Sequence, residues 1–263
     1  MVKVGIIGGS GLDNPELLTD ASKLDADSLY AMLTDAAQLE ADTLYGKPSA
    51  PLASGRIGGT EVIILSRHGR KHEFSPSQVN YRANIHALKQ QGVTHIIATT
   101  ACGSLREEIG RGDLVIVDQF IDFTRHRPIT FFDSFENGAA HAAMADPFDA
   151  NLRKKLYAMA VALGYKTHDR GTIVTIEGPR FSTRAESRMF RSWGADVINM
   201  SVAPEAILAN EAGIPYAVIA MSTDYDCWKE DEAPVTWDEI LEVFKNNAEN
   251  VKNLLLQVIP TID

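Results

Sequence analysis

Apolar, β-branched runs recur along the chain at residues 2–7, 61–66, 94–100, 113–118, 171–176, 196–199 and 217–221. Each is short and nearly continuous in its apolar character, as a strand covered on both faces requires. Amphipathic stretches separate several of them, at 79–91, 151–163, 182–193 and 204–212, and a longer one at 237–258 ends the chain. Buried strands alternating with helices predict an α/β layer system. No Gly-, Ser- or Pro-rich linker divides it, so residues 1–263 are read as one domain. The stretch 123–147 follows neither periodicity, is rich in aromatic residues and His, and is expected to be a long loop, either functional or disordered.

One segment breaks the alternation. Residues 18–30 return as residues 33–45, a spacing of 15, with small swaps such as Asp25 for Glu40 and Ser28 for Thr43. Two short units cannot make a solenoid. The pattern is that of a local tandem duplication in a surface excursion over 18–45. Leu29, Met32, Leu33 and Ala36 have helical spacing. The second copy, at 39–45, is expected to hold a strand position before Gly46-Lys47-Pro48, and the first to form a surface insert.

Hydrophobic residues make up 45% of the chain, enough for a large core. The net charge of −10 disfavours a nucleic-acid partner, since an acidic chain repels a polyanion. A local pocket for a small anion stays open. Cys102 and Cys227 are far apart and show no metal-ligand spacing, which suits a reducing compartment and a cytoplasmic protein. The apolar start is too short for a secretion signal and no run approaches a membrane span, so no membrane partner is expected.

In open α/β sheets, ligands bind beyond the carboxyl ends of the strands. The residues found there are Gly8-Gly9-Ser10-Gly11, Ser66-Arg67-His68-Gly69, Thr99-Thr100-Ala101-Cys102-Gly103-Ser104, Met200-Ser201 and Ser222-Thr223-Asp224-Tyr225-Asp226. Taken singly, these hydroxyls are ordinary turn or cap residues. Converging on one sheet edge, the hydroxyls, the glycine-turn amides, the planar fork of Arg67 and His68 describe an oxyanion pocket. The glycine-rich opening also suggests a dinucleotide, but Gly9-Ser10-Gly11 is followed by Leu12, Asp13 and Asn14, so the third glycine of that fingerprint is missing. His68 and His72 are four apart with Glu73 adjacent, yet Gly69 argues for a loop, and no metal is expected. Asp224 and Asp226 lie on one face if the strand continues, and two close carboxylates raise one pKa. Spacing alone favours a pair of solvated turn aspartates.

Together with Val79-Asn80-Tyr81-Arg82-Ala83-Asn84, Glu177-Gly178-Pro179-Arg180-Phe181-Ser182 and Thr223-Asp224-Tyr225-Asp226-Cys227-Trp228, these motifs run from Val4 to about Pro260. The chain resembles the trimeric purine nucleoside phosphorylases, in the branch that acts on 5′-methylthioadenosine. The resemblance implies a single-domain α/β phosphorylase fold, with a mixed, partly barrel-like β-sheet flanked by helices, assembled as a homotrimer. It implies phosphorolysis of methylthioadenosine to adenine and 5-methylthioribose-1-phosphate, in purine and methionine salvage. Inorganic phosphate is then the co-substrate, with no metal or organic cofactor. Carried over by motif, Ser10, Arg67, His68, Thr100, Ala101 and Ser201 hold phosphate. Met200 contacts the ribose, and Phe181 and Ser182 the purine. Asp224 and Asp226 face N7 and the 6-amino group, and with His68 form the catalytic set. Trp237, Ile240 and Leu241 wall the 5′ pocket, and His141 reaches from the long loop into a neighbouring subunit's site.

Carboxylates accept from an exocyclic amine, so a 6-aminopurine fits better than a 6-oxopurine. The alternatives are a methylthioinosine or general purine nucleoside phosphorylase and, outside catalysis, a nucleoside sensor on the same fold. Three departures from the family pattern stand out. Ser10 and Ser201 stand where Thr is usual, Trp237 stands where animal members carry a small aliphatic residue, and the chain stops at Asp263, short of the tail of longer members. These departures bear most on the preference for the 5′ group.

Overall fold

The computed structural model describes residues 1–8, 29–136, 138–230 and 237–263. Its elements begin with β1 (Lys3–Gly8), a 3-10 helix at Leu29–Met32, β2 (Thr34–Leu39), β3 (Leu52–Ile57), β4 (Thr60–Ser66) and α1 (Tyr81–Gln90). There follow β5 (His95–Ser104), β6 (Leu114–Ile116), β7 (Gln119–Phe123), α2 (Ala150–Ala162), β8 (Thr167–His168) and β9 (Thr172–Ile176). The last are α3 (Arg184–Ser192), β10 (Val197–Asn199), α4 (Val202–Glu211), β11 (Tyr216–Tyr225), α5 (Trp237–Val258) and a 3-10 turn at Ile259–Thr261.

The described strands form one mixed sheet. Its main path is β2-β3-β4-β1-β5-β10-β9-β7, with β11, β6 and β8 continuing from the other side of β5. Strands β4, β1, β5 and β11 are mutually parallel. Alternate side chains of these strands enter two different cores. Ile7, Leu65, Ala98 and Val218 pack with α1 and α4, through Ile85, Leu88, Val202 and Ala206. Ile6, Ile64, Ile97 and Ile219 pack on the opposite face with α2 and α5, through Leu152, Leu156, Val251 and Leu254. Burial on both faces is why these strands are apolar throughout.

The helices start where the side chains cap them. Asn80 accepts from the Ala83 amide, Asp149 from Leu152, and Thr183 with Glu186 closes a capping box on α3. Each cap contributes about 1 kcal/mol.

Strand β5 positions the site. On one edge it pairs with β1 over residues 95–98 and with β10 only at Gly103 and Ser104. Between those partners that edge of β5 has no neighbouring strand among the described residues, and the sheet opens.

The duplicated region departs from expectation. The predicted helix is only the 3-10 turn Leu29–Met32, and the strand of the second copy is Thr34–Leu39, antiparallel to β3, where 39–45 was expected. Residues 40–45 carry only a bridge between Thr43 and Gly46. The open edge of β3 supplies a ladder that a polar sequence such as Thr34-Asp35-Ala36-Ala37-Gln38 would not seek by propensity. Residues 18–28 of the first copy lie outside the described residues, as does the expectation of a surface insert there. The long loop is as read: no helix or strand occurs between Phe123 and Ala150 among the described residues.

Candidate active site

A cavity of about 530 Å³ occupies the opening beside β5. Arg67 and His68 enter from the end of β4, and Thr100, Ala101, Cys102 and Gly103 from β5. Ile198, Asn199, Met200 and Ser201 come from β10 and the turn after it, and Thr223, Asp224 and Asp226 from the end of β11. Pro179, Phe181 and Ser182 form a further wall, and the segment from His72 to Gln78 the last.

The strand-end reading therefore brings Arg67, His68, Thr100, Ala101, Phe181, Ser182, Met200, Ser201, Asp224 and Asp226 to one cavity. Ser10 lies outside the described residues, as do the side chains of Trp237, Ile240 and Leu241. Within this chain His141 is elsewhere. It lines a separate cavity of about 550 Å³ with Phe120, Phe132 and Phe135.

The hydroxyl end is organised by Asn199. Its amide donates to Thr100 Oγ1 at 3.2 Å and to Ser201 Oγ at 3.4 Å, while its oxygen accepts from Thr175. Both hydroxyls thus accept from one amide, and the Ser201 proton is left to donate into the cavity.

Arg67 lines the cavity, and its fork grips Glu205, with Nε to Oε1 at 2.5 Å and Nη2 to Oε2 at 2.9 Å, both side chains being essentially inaccessible. Nη1 donates to the Thr99 carbonyl, which leaves two N–H groups of the guanidinium uncommitted, one on each Nη. Burial works against the guanidinium charge, and Glu205 more than offsets it. A cation this deep persists only when paired, and Glu205 is that pair.

His68 is neutral. Burial, then Arg67 and His72 beside it, push its pKa down to about 3. Nδ1 lies 2.9 Å from the Phe74 carbonyl, which can only accept, so Nδ1 carries the hydrogen and Nε2 is an acceptor.

The other end is acidic and dry. Burial first, then Asp226, raises the Asp224 pKa to about 7, with Arg111 acting weakly against them. Burial also raises Asp226, but the Ser187 and Ser182 hydroxyls and the Cys227 amide pull it partway back. Asp226 Oδ2 and the Oγ atoms of Ser182 and Ser187 are buried and complete no hydrogen bond of good geometry. Such groups are normally satisfied, so this wall matches a ligand rich in donors and acceptors. The two carboxyls are therefore not solvated turn aspartates. One is a proton donor near neutral pH and its neighbour is the better acceptor. Phe181, 65% exposed, stands at the rim of this end.

Gly103 faces the pair closely. A Cβ there would lie 3.0 Å from Asp224 Oδ1 and 3.2 Å from Ile198 Cγ2. Gly103→Ala is expected to displace the Asp224 carboxyl by a few tenths of an ångström. Turnover should fall about tenfold while the anion end is unaffected, because misplacement of a reacting group is costly. Steady-state kinetics against each substrate will check this.

Two residues of the site were not foreseen. Glu205 is a charged residue within the otherwise apolar stretch Val202–Ala209 of helix α4, and that mismatch was the available signal. Arg127, from the long loop, has no periodicity or motif around it. Among the described residues, no cluster of three or more His, Cys, Asp or Glu is placed to hold a metal, and no helix is long and apolar enough to cross a membrane.

A proton-donating carboxyl at one end of a cavity and convergent oxyanion donors at the other suit displacement of a leaving base by an anion. The chain belongs to the phosphorylase superfamily, whose family model matches residues 3–260. Within it, the chain is 54% identical over 265 residues to the S-methyl-5′-thioadenosine phosphorylase of Xenopus tropicalis, a match covering 99% of this chain and 89% of that protein. It is 52% identical to the enzyme of the same name from Danio rerio, again over 99% of this chain and 89% of that protein. Among solved structures, the methylthioadenosine phosphorylase of Schistosoma mansoni in complex with adenine matches with a TM-score of 0.86 at 40% identity, covering 98% of this chain and 91% of that one.

Proposed function

We propose that the protein catalyses the phosphorolysis of S-methyl-5′-thioadenosine to adenine and 5-methylthioribose-1-phosphate, as a pentosyltransferase. The carrying observation is the buried carboxyl pair, Asp224 raised to about 7 beside Asp226, whose own rise is opposed by the Ser182 and Ser187 hydroxyls, in one cavity with the Thr100–Asn199–Ser201 hydrogen-bond network. Phosphate bound at the hydroxyl end attacks C1′ as the C1′–N9 bond breaks. The bond electrons pass to the purine, and protonated Asp224 gives its proton to N7. Asp226 accepts from the 6-amino group. Ser201 and the remaining N–H groups of Arg67 donate to phosphate oxygens, and His68 Nε2 accepts from a P–OH. The phosphate anion also offsets the positive charge that develops on the ribose. Met200 borders the ribose, Phe181 covers the base, and Ser182 contacts it.

The same reading extends to Ser10 and Ala101 at the phosphate and to Trp237, Ile240 and Leu241 around the 5′ substituent. It uses phosphate as co-substrate and involves no metal or organic cofactor. We read the working form as a homotrimer, supported by the exposed Phe132 and Phe135 beside His141, which then serve a neighbouring site. Free Cys102 and Cys227 suit the cytoplasm, where purine and methionine salvage would use the products.

The test is release of free base from methylthioadenosine, adenosine and methylthioinosine, with and without phosphate. Methylthioadenosine is expected to be cleaved fastest, and only with phosphate present. Phosphate-independent release, or a preference for methylthioinosine, would overturn the reading.

A further inference from the structure

We infer that Arg127 is a positioning residue for the nucleoside, one guanidinium that ties together three walls of the cavity. Its side chain is almost inaccessible, and all five of its N–H groups find acceptors. Nη1 donates to the Met200 carbonyl at 2.5 Å and to the Tyr81 hydroxyl at 3.1 Å. Nη2 donates to the carbonyls of Glu177 at 2.6 Å and Ile176 at 3.3 Å, and Nε to Glu177 Oε1 at 3.3 Å. The Tyr81 hydroxyl passes its own proton to the Pro76 carbonyl at 3.0 Å.

These acceptors belong to different parts of the site. Met200 closes the turn after β10. Ile176 and Glu177 end β9 and lead into the turn that carries Pro179, Phe181 and Ser182. Pro76 lies on the segment from His72 to Gln78. None of these contacts is to Thr100, Asn199 or Ser201. Arg67 is held independently by Glu205 and by the Thr99 carbonyl. Two buried arginines therefore serve two ends: Arg67 fixes the anion end, and Arg127 fixes the walls that touch base and sugar. Arg127 also begins the loop whose later residues Thr130 and Phe131 are tied to Glu211, so the loop carrying His141 is anchored to the nucleoside wall.

A lysine keeps the charge but has three donors at one point and cannot span these carbonyls. Arg127→Lys is expected to fold with a circular dichroism spectrum like that of the native enzyme. Its KM for the nucleoside should rise and its kcat fall, with kcat/KM down about 10- to 100-fold, as misplacement of a bound substrate predicts. The KM for phosphate should rise less than that for the nucleoside, because the contact of Arg127 nearest to the phosphate donors is to the Met200 carbonyl beside Ser201 and not to a donor itself.

A parallel loss for both substrates, or no change in either, overturns the inference. If the lysine variant does not fold, Tyr81→Phe removes one of the five acceptors together with the hydrogen bond to the Pro76 carbonyl. It is expected to raise the nucleoside KM about threefold, the scale of one weakened hydrogen bond, in a protein that still folds but melts lower. An unchanged nucleoside KM then overturns the proposal. The inference rests on the phosphorolysis reading, which the native enzyme's base release tests separately from the ratio of variant to native constants.

Discussion

Replacement of Asp224 by Asn is expected to lower kcat/KM for base release by about 10²- to 10⁴-fold, the range for loss of a general acid. Asn can still donate a hydrogen bond to N7, but it cannot transfer a proton, so only the chemical step is removed. The pH profile makes the argument sharper. Burial and Asp226 hold Asp224 at about 7, so the acid is protonated below neutrality and lost as pH rises. Native kcat/KM should therefore decline above about pH 7, and the residual activity of Asp224→Asn should lack that limb.

In the variant, stability moves opposite to activity. The folded pKa of Asp224 lies above its ordinary carboxylate value, so the folded state binds more protons than the unfolded chain between those two values. Stability then falls as pH rises through that window, and the full cost is present above about 7. Asn carries no charge to desolvate, so at pH 8 the variant should melt higher than the native enzyme. Low activity in a protein of raised melting temperature would separate chemistry from folding. An Asp224→Asn enzyme with native kcat/KM at all pH values would remove Asp224 from the mechanism.

The legible part of this molecule is the part where one physical cause acts alone. β1, β4, β5, β9, β10 and β11 are buried on both faces, so their apolar runs announce them, and the residues at their ends converge as sheet geometry requires. β2 was missed because it is an exposed edge strand, and β3 because Ser54, Gly55 and Arg56 interrupt its buried Leu52, Ala53 and Ile57. Thr34-Asp35-Ala36-Ala37-Gln38-Leu39 and Leu52-Ala53-Ser54-Gly55-Arg56-Ile57 pair through their backbones and carry little side-chain signal. β8 is two residues long, too short for any pattern. Asp224 and Asp226 were legible as a pair, but their protonation was not, because burial and the Ser182 and Ser187 hydroxyls come from other parts of the chain. Arg67 was legible as a site residue, but its grip on Glu205 was not, since that partner is 138 residues away. The five acceptors of Arg127 come from three separate segments, and no local rule reads such a contact set.

Removal of the Glu205 carboxylate is expected to have the largest effect on stability. Glu205→Ala leaves Arg67 buried and unpaired, a loss of about 3–5 kcal/mol by the rule for breaking a buried ion pair. In a chain of this size that is a fall in melting temperature on the order of 10 °C. Tyr216 loses its acceptor as well, because its hydroxyl donates to Glu205 Oε2 at 2.9 Å. The freed guanidinium should also turn from its present orientation, so the KM for phosphate should rise about tenfold, consistent with loss of a charge-assisted contact. Scanning calorimetry and phosphate-dependent kinetics will measure both. The decisive variant combines Arg67→Met, Glu205→Leu and Tyr216→Phe. Replacing a whole buried ionic cluster by apolar groups of similar volume is often neutral for stability, so this protein should melt close to the native temperature. Its phosphate KM should remain high, because the uncommitted N–H groups of Arg67 have gone. Recovery of melting temperature without recovery of phosphate binding would show that Glu205 holds Arg67 for the anion, and that the pair is kept for function at no gain in stability. Recovery of both would make the pair a packing device and leave the anion to Ser201, Thr100 and the backbone.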